Sequence, residues 1–136
     1  MINDEIKWLD IPKILDERGN LSFIEKNSDV KFDIRRVYWI YDVPGGEIRG
    51  GHAFKTQQEV IIALSGSFDV VLHDGVSSCR YSLNRSYKGL YIPKMVWRHL
   101  ENFSTNAVCL VLASTFYSKE DYIHDFNTFK NLVQAK

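Results

Sequence analysis

The segment from Gly46 to Gly66 constrains the fold more tightly than any other part of the chain. It sets Gly46, His52, Phe54, Glu59 and Gly66 around two short runs of strand-forming residues, Gly51 to Lys55 and Glu59 to Ser65. The first run follows the strong turn Val43-Pro44-Gly45-Gly46. Side chains alternate along a strand, so His52 shares a face with Gly50 and Phe54. A second segment, Gly89 to Asn102, carries Pro93, Met95, Arg98 and Asn102. His99 comes one residue after Arg98 and faces the opposite way.

The rest of the chain repeats this pattern of short extended segments between turns. Leu21 to Glu25 reads as a strand after the turn Asp16 to Asn20, and Arg35 to Asp42 reads as a strand rich in β-branched and aromatic residues. Ser67 to Asp74 and Ser77 to Leu83 read as a hairpin, with Asp74-Gly75 as a tight two-residue loop. Leu90 to Ile92, Val96 to Asn102 and Ala107 to Ser114 complete the set. Roughly ten such strands indicate an all-β sandwich or barrel. At the C-terminus Ser118 and Asp121 form a helix-opening pattern, and Tyr122, Phe126, Phe129 and Val133 recur at helical spacing. The expectation is one domain over residues 1–136, with a short helix packed on the barrel.

Composition excludes several function classes. Seventeen basic residues balance seventeen acidic ones, which leaves no electrostatic case for broad nucleic-acid or membrane binding. The opening residues from Met1 to Lys7 are polar and mixed in charge, unlike a secretory leader. Cys79 and Cys109 are the only cysteines. They read as reduced thiols of a cytoplasmic protein, with Cys109 as a small core residue.

The two segments resemble the paired motifs of the cupin β-barrels. Gly46, His52, Glu59 and Gly66 match the first motif, and Pro93 and Asn102 match the second. The resemblance implies a jelly-roll barrel. Metal-binding cupins use three histidines and one glutamate, whereas here Phe54 and Arg98 stand at two of those places. Phe donates no lone pair and Arg stays protonated, so no metal and no cofactor are expected.

More narrowly, the chain is similar to the nucleotide-sugar 3,4-ketoisomerases. The resemblance rests on Asp16-Glu-Arg18-Gly19, Arg36-Val-Tyr38, Arg49-Gly50-Gly51-His52-Ala53, Leu64-Ser-Gly66-Ser67, Gly89-Leu-Tyr91-Ile, Val96-Trp97, Asn102-Phe-Ser104, Val111-Leu-Ala-Ser114 and Asp121-Tyr122-Ile. It implies a homodimer with exchanged N-terminal strands that binds dTDP-4-keto-6-deoxyglucose in the barrel mouth. It further implies conversion to a dTDP-3-keto-6-deoxyhexose, feeding an amino sugar into a surface polysaccharide. Two histidines usual in that family are replaced by Phe54 and Arg98. A non-catalytic dTDP-sugar-binding cupin is therefore the alternative, and a metal oxygenase is a third reading that the missing ligands oppose.

Moving a carbonyl from C4 to C3 requires a base at C3, an acid at C4 and stabilisation of an enediolate. His52 is the expected proton-transfer residue, with Glu59 as its partner; the other reading of His52 is a core histidine satisfied by Glu59. Burial beside Phe54 could raise the pKa of Glu59. Arg98 and Arg49 offer positive charge for an enediolate or a diphosphate, although Arg98 could instead pair with Glu59. Arg35, Arg36 and Arg85 read as solvated. Tyr38, Trp39, Tyr91 and Trp97 could stack on the base or sugar, or simply fill core and interface. His73, at a hairpin tip, and His124, on the tail helix, read as surface residues.

Overall fold

Glycine turns and alternating apolar residues build a chain of short strands. The computed structural model describes residues 3–26 and 29–135. Met1 and Ile2, part of the polar opening, fall outside these. The strands are β1 (Lys7–Asp10), β2 (Lys13–Ile14), β3 (Leu21–Ser22), β4 (Arg36–Ile40), β5 (Arg49–Phe54), β6 (Glu59–Ser65), β7 (Phe68–His73), β8 (Ser78–Leu83), β9 (Lys88–Ile92), β10 (Trp97–Glu101), β11 (Val108–Ala113) and β12 (Tyr122–Ile123), followed by helix α1 (Phe126–Gln134). Two five-stranded antiparallel sheets face each other, one in the order β1-β9-β6-β11-β4 and the other β12-β5-β10-β7-β8. This is the all-β, cupin-like architecture expected.

The interior between the sheets is filled by alternate residues of each strand. Ile61, Ala63, Leu90, Ile92, Cys109 and Val111 come from the first sheet, and Phe68, Val70, Leu72, Leu83 and Leu100 from the second. The two outer faces are covered separately. Val60, Ile62 and Leu112 turn outward from the first sheet to pack with Val30, Phe32 and Ile24 of the segment before β4. On the second sheet Ala53 and Ile123 turn outward to meet Phe129 of α1, joined by Trp97, Phe126 and Val133. Phe129 is fully buried.

Several elements differ from their sequence reading. The run from Leu21 to Glu25 is a strand only at Leu21–Ser22, where it closes a small hairpin with β2. The β7–β8 connection spans residues 74–77, because Asp74 Oδ1 accepts hydrogen bonds from the backbone N–H groups of Val76 and Ser77 and holds the loop open. The tail helix does not begin at Ser118, whose side chain caps no backbone group. Asp125 is the cap, accepting from the Thr128 N–H, and the helix runs from Phe126. Asp121 is instead buried, accepting from Thr56 N–H, Thr56 Oγ1 and Gln57 N–H. That clamp draws the next two residues into β12, with Tyr122 opposite Phe54 and Ile123 opposite Ala53. Tyr122 therefore sits on a strand, and His124 lies ahead of the helix.

Truncating Phe129 to alanine is expected to lower unfolding free energy by about 3–5 kcal/mol, the usual cost of deleting a buried aromatic ring. Urea unfolding checks this, and an unchanged midpoint would show that α1 does not hold the second sheet.

Candidate active site

The polar end of the interior is built by strands from both sheets. Glu59 opens β6, Tyr38 lies mid-strand on β4, and Arg98 lies on β10 with His52 of β5 directly across the ladder. Glu59 and Arg98 are each about 1% exposed. Arg98 Nε donates to Glu59 Oε1 at 2.8 Å and Nη2 donates to Oε2 at 2.9 Å, a two-pronged ion pair. Arg98 Nη2 also donates to the Tyr38 hydroxyl at 3.0 Å, and that hydroxyl donates to Glu59 Oε2 at 2.8 Å. Gln57 Nε2 donates to the same oxygen at 3.1 Å. Its own carbonyl accepts from Arg36 Nη2 and Thr115 Oγ1, both at 2.7 Å.

Charge states follow from this network. Burial alone would push the Glu59 carboxyl up. The Arg98 charge and the hydrogen bonds from Arg98 and Tyr38 outweigh burial and hold it below its ordinary value. The expectation that a dry cavity raises the pKa of Glu59 is therefore corrected: the cavity is dry, but the carboxylate is paired. Burial would lower the Arg98 pKa, yet Glu59 raises it. The Tyr38 hydroxyl is pushed up by burial and by the Glu59 carboxylate, so it stays protonated. His52 is pulled down to about 3 by burial and then by the Arg98 charge, with Glu59 opposing and His124 adding to the fall.

Two polar atoms here are buried without a partner, His52 Nε2 and Arg98 Nη1. Both side chains border Gly50. The β5–β10 pairing steps by one residue between Arg98–His52 and Leu100–Arg49, and Gly50, at φ +73°, takes up the extra residue. A Cβ at Gly50 would lie 2.4 Å from Arg98 Nη1 and 3.8 Å from His52 Cε1, so glycine is favoured there. The imidazole is walled edge-on by Phe54 at 4.8 Å and Tyr122 at 5.0 Å between ring centres. An unpaired buried polar group costs about 1–3 kcal/mol. A neutral imidazole and a charged guanidinium nitrogen, neighbours across the ladder and both unpartnered, thus form a site suited to acceptor oxygens and a transferable proton.

The sequence candidates divide into those gathered here and those placed elsewhere. His52, Glu59, Arg98 and Tyr38 come together. His52 and Glu59 are not a hydrogen-bonded pair, because Arg98, Tyr38 and Gln57 take both carboxylate oxygens. Arg49 is exposed near the rim, opposite Leu100. Trp97 is adjacent to Arg98 and therefore points outward, where it packs on Phe126 and Phe129. Tyr91 likewise faces out from the first sheet, with its hydroxyl donating to Gln58 Oε1 at 2.6 Å. Neither reaches the Arg98 site. Trp39 also faces outward and lines a cavity of about 600 Å³ with Tyr41, Leu64 and Leu110. Arg36 is not a solvated charge but a half-buried partner of Gln57. His73 is half-buried, with Nδ1 accepting from Gly75 N–H and its ring against Phe126.

Sequence reading passed over Gln57 and placed Tyr122 and His124 on the tail helix, away from the site. Gln57 lies two residues before Glu59 and could have been found by the period of the strand. Tyr122 and His124 depend on the Asp121 clamp, which no local pattern signals. The donor set does not fit the metal known from related barrels. Arg98 and Phe54 occupy two ligand places and Glu59 is already saturated. Among the described residues no group of three or more His, Cys, Asp or Glu side chains converges.

Comparison with known proteins places this geometry. Residues 4–134 match the family described as FdtA: WxcM-like, C-terminal. The chain belongs to this family. It is 40% identical over 129 residues to a TDP-4-oxo-6-deoxy-alpha-D-glucose-3,4-oxoisomerase of Aneurinibacillus thermoaerophilus, covering 95% of this chain and 93% of that one. The crystal structure of the WlaRB TDP-quinovose 3,4-ketoisomerase from Campylobacter jejuni superposes with a TM-score of 0.89 at 43% identity, covering 95% and 99% of the two chains. A histidine-to-asparagine variant of the 3,4-ketoisomerase QdtA from Thermoanaerobacterium thermosaccharolyticum, in complex with TDP-4-keto-6-deoxyglucose, superposes with a TM-score of 0.96. Its identity is 32%, covering 99% and 98%. In this member of the WxcM-like family the histidine at the site is His52.

Replacing Glu59 by Ala is expected to cost about 3–5 kcal/mol, because it strands the buried Arg98 charge. The double variant Glu59→Leu/Arg98→Met should recover most of that in urea unfolding. A double variant no more stable than Glu59→Ala would refute the pairing argument. His52 generates a pH effect. Its ordinary pKa is 6.5 and its folded value about 3, so between these the unfolded chain binds the extra proton. Its contribution to stability is complete above pH 6.5 and is lost as pH falls toward 3. Thermal melting should show Tm falling from about pH 6.5 downward, and His52→Asn should flatten that slope before the carboxylates titrate.

Proposed function

We propose that the chain is a sugar–nucleotide 3,4-ketoisomerase that converts dTDP-4-keto-6-deoxyglucose to a dTDP-3-keto-6-deoxyhexose through an enediol. The observation that carries this reading is that His52 and Arg98 face each other across the β5–β10 ladder, both bordering Gly50, with His52 Nε2 and Arg98 Nη1 each buried and unpartnered. Support comes from the oxoisomerase relative and from the QdtA variant, which holds TDP-4-keto-6-deoxyglucose. These also favour catalysis over a pocket that only binds, because the relatives are named as isomerases.

His52, neutral at physiological pH, takes the proton from C3. The C3–H electron pair becomes the C3=C4 double bond, and the C4 carbonyl electrons move to its oxygen. Arg98 Nη1 donates to that developing oxyanion in a water-poor site, where a fixed charge acts at full strength. The O3–H electron pair then forms the C3 carbonyl, the C3=C4 pair takes a proton at C4, and the O4 oxyanion takes up the proton that leaves O3, so no net proton is gained or lost. The diphosphate and the enediolate bring negative charge, which raises the basicity of His52 as the reaction needs it. Tyr38, Gln57 and Glu59 hold Arg98 in position, while Phe54 and Tyr122 exclude water. Arg49 at the rim suits the diphosphate.

The same reading makes residues 1–136 one domain acting as a cytoplasmic homodimer. No helix among the described residues is long and apolar enough to cross a membrane. The exposed row of Val37 and Trp39 on edge strand β4, continued by Tyr41 just after it, is an apolar face suited to a second copy. β1 pairs with β9 of its own chain, and exchange of N-terminal strands would form the identical ladder between protomers. The 3-keto product would pass to an aminotransferase supplying a surface polysaccharide.

In D₂O the enzyme is expected to convert dTDP-4-keto-6-deoxyglucose to the 3-keto isomer, followed by NMR. His52→Asn should lower the rate at least about 10²-fold while dTDP binding persists. A His52→Asn variant with undiminished rate would remove this assignment.

A further inference from the structure

The clamp at Asp121 has a second effect besides making β12. It fixes Tyr122 opposite Phe54 and Ile123 opposite Ala53, and the same register, carried one residue further, sets His124 opposite His52. The two imidazole centres lie 6.1 Å apart. His124 lies flat on the Tyr122 ring, 5.3 Å between centres and 9° between planes, which holds it at the mouth rather than free in solvent. His124 is exposed, while His52 Nε2 is sealed from water.

The other groups facing His52 are poor proton carriers. Arg98 on β10 is permanently charged. Glu59 on β6 has both oxygens occupied, and the Tyr38 hydroxyl on β4 is committed to Glu59. Tyr122 on β12 meets His52 edge-on with its ring. Phe54 has no proton to move. An imidazole alone among these both accepts and releases a proton readily.

We propose that His124 is the proton-exchange residue of this site, linking His52 to solvent. The inference rests on the isomerase reading above. When His52 has taken the C3 proton, it passes that proton through a bridging water or a substrate hydroxyl to His124. His124 releases it to bulk water, and a solvent proton returns by the same route. Each transfer breaks one N–H or O–H bond and forms another, and no oxidant or reductant is involved. The hydrogen delivered to C4 is then a solvent hydrogen rather than the one removed from C3.

The test uses the full-length enzyme and dTDP-4-keto-6-deoxyglucose carrying deuterium at C3, in ordinary water. The readout is the deuterium retained at C4 of the product, measured by NMR and mass spectrometry. The unmodified enzyme should wash out most of the label. His124→Phe, which keeps the stack on Tyr122, should raise retention roughly five-fold, the signature of a lost acid–base group. In His124→Ala, added imidazole buffer should restore the washout. Should the phenylalanine variant fail to fold, His124→Gln carries the same comparison, since an amide does not ferry protons. Equal retention in the unmodified and variant enzymes overturns the role of His124 and leaves the isomerase reading standing. No conversion by the unmodified enzyme overturns both.

Discussion

The ion pair between Glu59 and Arg98 joins the two sheets where their shared interior turns from apolar to polar, and the arrangement of the site depends on it. Taking both charges out of water costs several kcal/mol per ion, and a well-packed apolar pair of similar volume is often as stable or more so. The pair persists here with its lone pairs filled by Tyr38 and Gln57, leaving one guanidinium nitrogen, Nη1, without a partner. Such a layout suits chemistry better than stability. It presents a fixed positive donor that needs no reorganisation when an oxyanion forms. Arg98 thus supplies a fixed positive charge to a site whose side chains, among the described residues, do not gather a metal-ligand set.

The second constraint is the one-residue step in β5. The step sets Arg49 rather than Gly50 opposite Leu100, while His52 stays opposite Arg98. Glycine is favoured twice over at this position, once for its backbone angle and once because a Cβ there would collide with Arg98 Nη1. The walls around His52 come from two different parts of the chain. Phe54 is a near neighbour on β5, whereas Tyr122 arrives through β12, held by the buried Asp121 carboxylate. The His52 imidazole is therefore placed by its pairing with Arg98, an aromatic edge and a distant carboxylate.

Much of this was legible in the chain, and what was not shares a physical cause. Turn signals and runs of β-branched and aromatic residues located β4, β6, β7, β8, β10 and β11 in full and most of β5, because strand-forming residues and turn residues are local features. Alternation along a strand excludes Trp97 from the Arg98 face, an inference open to the sequence but set aside in favour of its aromatic character. Tyr91 was misplaced for a related reason, since a stacking side chain carries no label for which side of a sheet it covers. Ser118 looked like a helix cap because its spacing to Asp121 suits one. Asp121 instead found the backbone N–H groups of Thr56 and Gln57, and a carboxylate buried with three donors outcompetes an exposed cap. Gln57 and His124 were missed because their roles arise from neighbours far away in the chain.

The residue order alone determined an all-β barrel, a lone imidazole and carboxylate in adjoining strands, and an arginine where a ligand would stand, since side-chain period and charge are local properties. Only the tertiary structure decided that Glu59 belongs to Arg98 rather than to His52. It alone brought His124 opposite His52 and turned Trp97 and Tyr91 away. Which partner a buried charge takes is settled by which strands meet across the interior, and no local pattern encodes that.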